Sequence, residues 1–127
     1  MNRYEILDNS ETIELKEIES YLISFIQNCV QKDRQKRWLE MVNKPDKLNK
    51  KFNGLWNSIN FEKVNEYEED LNLKSNSYYY FCMDHYAYKV NKEEAYILSE
   101  SYDGFLFSRT IKETYFLTHE NIKYEQK

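Results

Sequence analysis

Over about residues 9–31 the apolar side chains Leu15, Ile18, Leu22, Phe25, Ile26 and Cys29 recur every three or four positions, with Glu17, Ser20, Ser24, Gln27 and Gln31 on the other side. That spacing matches the 3.6-residue turn and predicts an amphipathic helix. Asp8 and Glu11, three apart, supply a capping box at its start, and its glutamate-rich first turns suit the positive end of the helix dipole. A shorter helix is expected from Asp33 to about Val42, with Trp38, Met41 and Val42 facing inward and Pro45 ending it. Beyond Pro45, a good first-turn residue, Leu48, Phe52, Leu55 and Ile59 form one stripe, with Lys47, Lys50 and Lys51 outside it. This predicts a third helix with a basic outer face. Phe61, Val64, Tyr67 and Leu71 keep the same period and predict a fourth, strongly acidic helix over about residues 60–70.

After Ser75 the vocabulary turns β-favouring. Tyr78 to Met83, Tyr86 to Val90 and Ala95 to Ser99 are short aromatic and branched runs expected as strands, with 91–94 as a hairpin turn. Asp103-Gly104 signals a turn into Phe105-Leu106-Phe107, Gly104 supplying a positive φ and Asp103 contacting no ligand. Thr114 to Thr118 and Ile122 to Tyr124 complete a last hairpin across His119-Glu120-Asn121. Helices first and strands after argue for an α+β fold, with N-terminal helices packed on one face of a C-terminal antiparallel sheet. With 127 residues the chain is expected as a single domain, 1–127, whose helical half covers about 10–71 and whose sheet half covers about 77–125. Alternation along strands cannot bury Tyr78, Tyr79, Tyr80, Tyr86, Tyr88 and Tyr96 together, so some rings are expected at the surface.

Charge adds an asymmetry that the formal −4 conceals. Residues 32–51 hold eight bases against three acids, a local +5, which leaves −9 for the remainder, concentrated at 11–19 and 62–70. Two glycines and one proline leave no room for a glycine-rich phosphate loop, which removes Walker and Rossmann chemistry. The apolar runs are too short for a bilayer, and the N-terminus offers Arg3 without an apolar export core, so a cytoplasmic location with reduced cysteines is expected.

The candidate chemistry is sparse. Cys82, Asp84 and His85 offer metal-ligand types, but in a strand Cys82 and Asp84 share a face while His85 points away, and no fourth ligand is near in sequence. Neither Cys29 nor Cys82 is flanked by residues that mark a thiolate for pairing with His119. No metal, no cofactor and no enzymatic activity are expected. The run Glu66, Tyr67, Glu68, Glu69 and Asp70 reads as a solvated helix face or as a partner-binding surface imitating a line of phosphates. Arg34, Arg37, Lys47, Lys50 and Lys51 are the candidate nucleic-acid contacts, opposed by the overall negative charge. Surplus tyrosines favour a binder, because tyrosine docks at low entropic cost.

The stretch Arg37-Trp38-Leu39-Glu40-Met41-Val42, the Lys44-Pro45-Asp46-Lys47 region through Phe52, and Ala95-Tyr96-Ile97-Leu98-Ser99-Glu100-Ser101 before Asp103-Gly104 resemble a family of small uncharacterised bacterial proteins. That resemblance implies no reaction. In size, acidity and lysine-, asparagine- and isoleucine-rich composition the chain is also similar to bacterial immunity proteins that block toxins. The expected function is therefore an antitoxin-like immunity protein that occludes the active site of a cognate toxin domain, a nuclease by its charge, through Glu66, Tyr67, Glu68, Glu69 and Asp70. Nucleic-acid binding by the 32–51 face is the alternative. No membrane partner is expected.

Overall fold

In the computed structural model, which describes residues 1–44, 47, 62–66, 71, 73–83, 86–109 and 114–125, the strand-forming runs pair into one sheet. Its strands are β1 (Thr12–Glu14), β2 (Glu62–Glu66), β3 (Tyr78–Met83), β4 (Tyr86–Val90), β5 (Gly104–Phe107), β6 (Thr114–Leu117) and β7 (Ile122–Glu125). They lie in the order β1-β4-β3-β5-β6-β7-β2, and every neighbouring pair is antiparallel. The helices among the described residues are α1 (Arg3–Asn9), α2 (Glu19–Cys29), α3 (Lys32–Met41) and α4 (Lys92–Ser99), with a 3-10 turn at Leu15–Ile18. The fold is α+β, as the hydropathy pattern predicts.

Strand alternation divides the core in two. On one face Phe81, Ala87, Phe105, Phe107 and Phe116 meet Leu22, Phe25 and Ile26 of α2 and Trp38 and Met41 of α3. The Phe25 ring meets Phe105 edge-on with centroids 4.0 Å apart. The stripe read from residues 15–26 and the inward Trp38, Met41 and Val42 are all buried here. On the other face Tyr78, Tyr80, Tyr88, Leu106, Tyr115 and Leu117 pack with Ile6 of α1 and Ala95 and Leu98 of α4. Helices therefore lie against both faces, α2 and α3 on the expected one and α1 and α4 on the second. The second layer also absorbs most of the tyrosine surplus. Tyr78 and Tyr80 are fully buried, and each phenol finds a backbone partner: the Tyr80 hydroxyl donates to the Tyr102 carbonyl at 2.6 Å, and the Tyr78 hydroxyl accepts from the Ser75 N–H at 3.0 Å.

Four local expectations change. The helix expected over 9–31 is divided, because Thr12 to Glu14 pair with β4 in the register Thr12 to Tyr88 and Glu14 to Tyr86, so helix begins only at the 3-10 turn. Its capping box joins Glu14 and Glu17 in place of Asp8 and Glu11, while Asn2 caps the separate α1 by accepting from the Glu5 N–H.

The acidic helix expected over 60–70 is not formed at Glu62–Glu66, which is the strand β2 on the free side of β7. The backbone ladder offered by β7 outweighs the local helical period there. Residues 67–70 lie outside the described residues, as does the third helix except for exposed Lys47.

The run Ala95 to Ser99, expected as a strand, is the C-terminal part of α4, and the expected 91–94 turn is its start. Asn91 Oδ1 accepts from the Glu94 N–H and the Asn91 N–H donates to Glu94 Oε1, both at 2.9 Å. Ala95 and Leu98, three apart, then face the core. A five-residue apolar run carries no period long enough to separate the two structures.

Gly104 is the first residue of β5 and has no positive φ; the positive value belongs to Asn121, φ 59°, in the β6–β7 turn. Gly104 is required by close approach, since a Cβ there would sit 2.6 Å from the Phe81 carbonyl oxygen and 2.9 Å from Cys82 Cβ. The halves also interleave: β1 and β2 come from the expected helical half and α4 from the expected sheet half.

Candidate functional site

The strand order places the acidic stretch 11–19 around β1 at one edge of the sheet, and the backbone of Glu62–Glu66 at the other edge as β2. At the β1 edge Glu5 and Asp8 of α1, Glu11, Glu14 of β1 and Glu17 of the 3-10 turn are all exposed. Lys16 and Lys89 oppose them, Lys89 Nζ standing 3.6 Å from Glu11 Oε2 between two well-solvated side chains. Pairs of that kind contribute little to stability and leave the local field negative. Arg3 is engaged elsewhere, donating to Ser101 Oγ and to the Tyr4 hydroxyl at 2.8 Å each.

Beside β1 lies an open hollow of about 520 Å³ in which Glu14, Glu19 and Tyr86, together with Lys16 and Asn43, surround the apolar Leu15 and Val42, so that two carboxylates outnumber one ammonium. Tyr86 stands directly opposite Glu14 in the ladder and is 40% exposed, one of the few large rings that the core does not take. A lysine or arginine side chain suits such a hollow. Its aliphatic stem lies on Leu15 and Val42, its charged head meets carboxylates, and the ring adds cation–π attraction. Charges along a sheet edge also discourage edge-to-edge pairing, so these glutamates have a structural use as well.

Of the residues expected to bind a partner, Glu66 ends β2, while Tyr67, Glu68, Glu69 and Asp70 lie outside the described residues. The acidic, tyrosine-bearing surface that the structure does assemble is at the other edge. Its signal was present in sequence as the second acidic concentration, 11–19, hidden there by its assignment to the first turns of a helix.

Of the basic candidates, Arg34 and Arg37 are exposed on α3 beside exposed Lys32 and Lys36, and Lys47 is exposed, whereas Lys50 and Lys51 lie outside the described residues. Cys82 is a buried thiol outside any disulfide, and Asp84 and His85 lie outside the described residues. No group of three metal-ligating side chains occurs among the described residues. None of those helices is long and apolar enough to cross a membrane.

His119 is engaged by Asp103 and not by a thiol. Asp103 Oδ1 lies 2.7 Å from His119 Nδ1 and also accepts the His119 backbone N–H at 2.7 Å. The hydrogen bond to Asp103, then the carboxylate's charge, raises the His119 pKa above its ordinary 6.5. Lys123, a residue the sequence reading passed over, is buried beside β6 and donates to the Leu71 carbonyl at 2.6 Å, with its ammonium 5.1 Å from the Tyr115 ring centre.

No protein-family model, no curated protein and no solved structure matches this chain.

Proposed function

We propose that this chain is an immunity protein of the antitoxin type, which binds a cationic toxin domain through the acidic β1 edge and blocks its active site by occupying it. The observation that carries the reading is the hollow bounded by Glu14, Glu19 and exposed Tyr86 within a run of exposed carboxylates. A nuclease cleft is lined with cations for its phosphate substrate, so an anionic protein surface of fixed shape competes for it without any chemistry of its own. Opposite fields speed the encounter, and a ring and carboxylates held on a sheet edge limit the entropy lost on docking. Cytoplasmic action fits this reading.

The test is a pull-down with this chain from cells expressing its neighbouring genes, followed by an activity assay of any captured cytotoxic domain with purified proteins; capture of no such domain counts against the reading. The account expects stoichiometric loss of toxin activity with the unaltered chain and weaker inhibition with the Glu14→Lys, Glu19→Lys double variant. An active toxin in the presence of excess chain rejects the immunity reading.

A second reading, nucleic-acid binding, is favoured by the exposure of Lys32, Arg34, Lys36 and Arg37 on one helix. It requires gel-shift affinity that falls steeply as salt rises and is lost in an Arg34→Ala, Arg37→Ala variant.

A further inference from the structure

Phe107 of β5, almost fully buried, carries two tyrosines. Tyr79, its cross-strand partner on β3, stacks at a centroid distance of 5.9 Å, and Tyr21 of α2 stacks at 5.5 Å. Both tyrosine rings reach the surface, Tyr21 with 38% of its area exposed and Tyr79 half-buried. Two residues beyond Phe107, the exposed Arg109 places its guanidinium carbon 5.9 Å from the Tyr79 ring centre. Hydrogen bonding toward Tyr21 first and Tyr79 second favours its charged form still further. No carboxylate among the described residues lies within ion-pair distance of Arg109. Among the described residues the groups next to this exposed guanidinium are thus neutral rings.

We propose that Arg109, with Tyr21 and Tyr79, is a docking point for a carboxylate side chain of a protein partner. The fork of a guanidinium matches the two oxygens of a carboxylate, and its position over the Tyr79 ring reduces the entropy lost when the pair forms. The stacked rings beside it take the apolar neighbours of that carboxylate, and tyrosine and arginine are the residues that concentrate binding energy in protein interfaces. A polyanion is the poorer match, since a single guanidinium offers one phosphate contact while the acidic edges repel the rest of the strand. The site is independent of the β1 edge and stands or falls apart from the toxin reading.

The experiment follows the Arg109 Nε–H signal of the isotope-labelled full chain by NMR during addition of the capped peptide acetyl-Leu-Glu-Leu-amide, its Gln counterpart, or inorganic phosphate. The glutamate peptide is expected to shift the signal saturably, with the Gln peptide weaker by about two- to fivefold, the range for an exposed ion pair. Tyr79→Leu weakens the binding by removing the ring, and Arg109→Gln abolishes the peptide's effect on the Tyr21 and Tyr79 ring signals while the remaining spectrum stays folded. Equal responses to the Glu and Gln peptides overturn the proposal, as does ring-signal binding that survives Arg109→Gln. Saturation by phosphate at lower concentration than by the glutamate peptide also overturns it and reassigns the site to phosphate-bearing ligands.

Discussion

A single carboxylate oxygen, Asp103 Oδ1, accepts both the backbone N–H and the Nδ1 of His119, each at 2.7 Å, and so ties the β6–β7 turn to the residue before β5. The Asp103 carboxylate is 9% exposed and the imidazole 53% exposed, so the pair is partly screened. Because the folded His119 pKa is raised above 6.5, its contribution to stability is fully present below pH 6.5 and is lost as pH climbs through the folded value. Screening limits that contribution to about 0.2–1 kcal/mol. NMR titration of the imidazole is expected to give a midpoint above 6.5 that returns toward the ordinary value in Asp103→Ala.

The same variant removes the acceptor for the His119 N–H. Because that exposed N–H can turn to water, Asp103→Ala is expected to cost about 0.5–1.5 kcal/mol in chemical denaturation, even at a pH where His119 is neutral. Unchanged stability at that pH would show the backbone contact to be without consequence. This differs from the expectation drawn from sequence, in which Asp103 only shaped a turn.

Gly104 separates a steric requirement from a conformational one. Gly104→Ala is expected to destabilise by about 1–3 kcal/mol, because the added methyl meets the Phe81 carbonyl and the backbone must yield. Gly104→Asn is expected to be worse than Ala, whereas a residue needed for positive φ would accept Asn more readily. Melting temperatures of the two variants distinguish these cases.

The α4 start supplies a test of the reassigned segment. Asn91→Ala removes the cap on the Glu94 N–H and is expected to cost about 1 kcal/mol, with a small loss of helical circular dichroism. A strand at Ala95–Ser99 would leave the helical signal untouched.

Legibility followed the length and periodicity of each segment. The stripe Leu22, Phe25 and Ile26 and the inward Trp38 and Met41 declared themselves because each repeats over enough turns for a helical period to be distinct, and both pack as expected. Glu62–Glu66 repeats equally well but became a strand, since the partner that decides it, β7, is more than fifty residues away. Ala95 to Ser99 is too short to carry a period, and the decisive signal was the Asn91-Glu94 pair, which reads equally as a polar turn. For the candidate surface, local sequence identified two acidic stretches and the tyrosine excess. Only the strand order reveals that Tyr86 stands beside Glu14, and that Tyr78, Tyr80 and Tyr115 are spent on the core.

The proposed immunity role requires the β1 edge to meet a cationic protein. Its most direct test is the association rate between this chain and a cytotoxic domain captured with it from cells expressing its neighbouring genes, measured by stopped flow across a range of ionic strength. For the unaltered chain the rate is expected to fall steeply with salt, and the Glu14→Lys, Glu19→Lys variant is expected to associate about tenfold or more slowly with a flattened salt dependence. Glu14→Lys also removes the capping-box acceptor and Glu19→Lys puts a cation in the first turn of α2, so the variant is expected to lose about 1–2 kcal/mol of stability and its folded state is checked by circular dichroism before the rates are compared. An association rate and salt dependence identical to those of the unaltered chain would contradict the claim and remove the β1 edge from the interface.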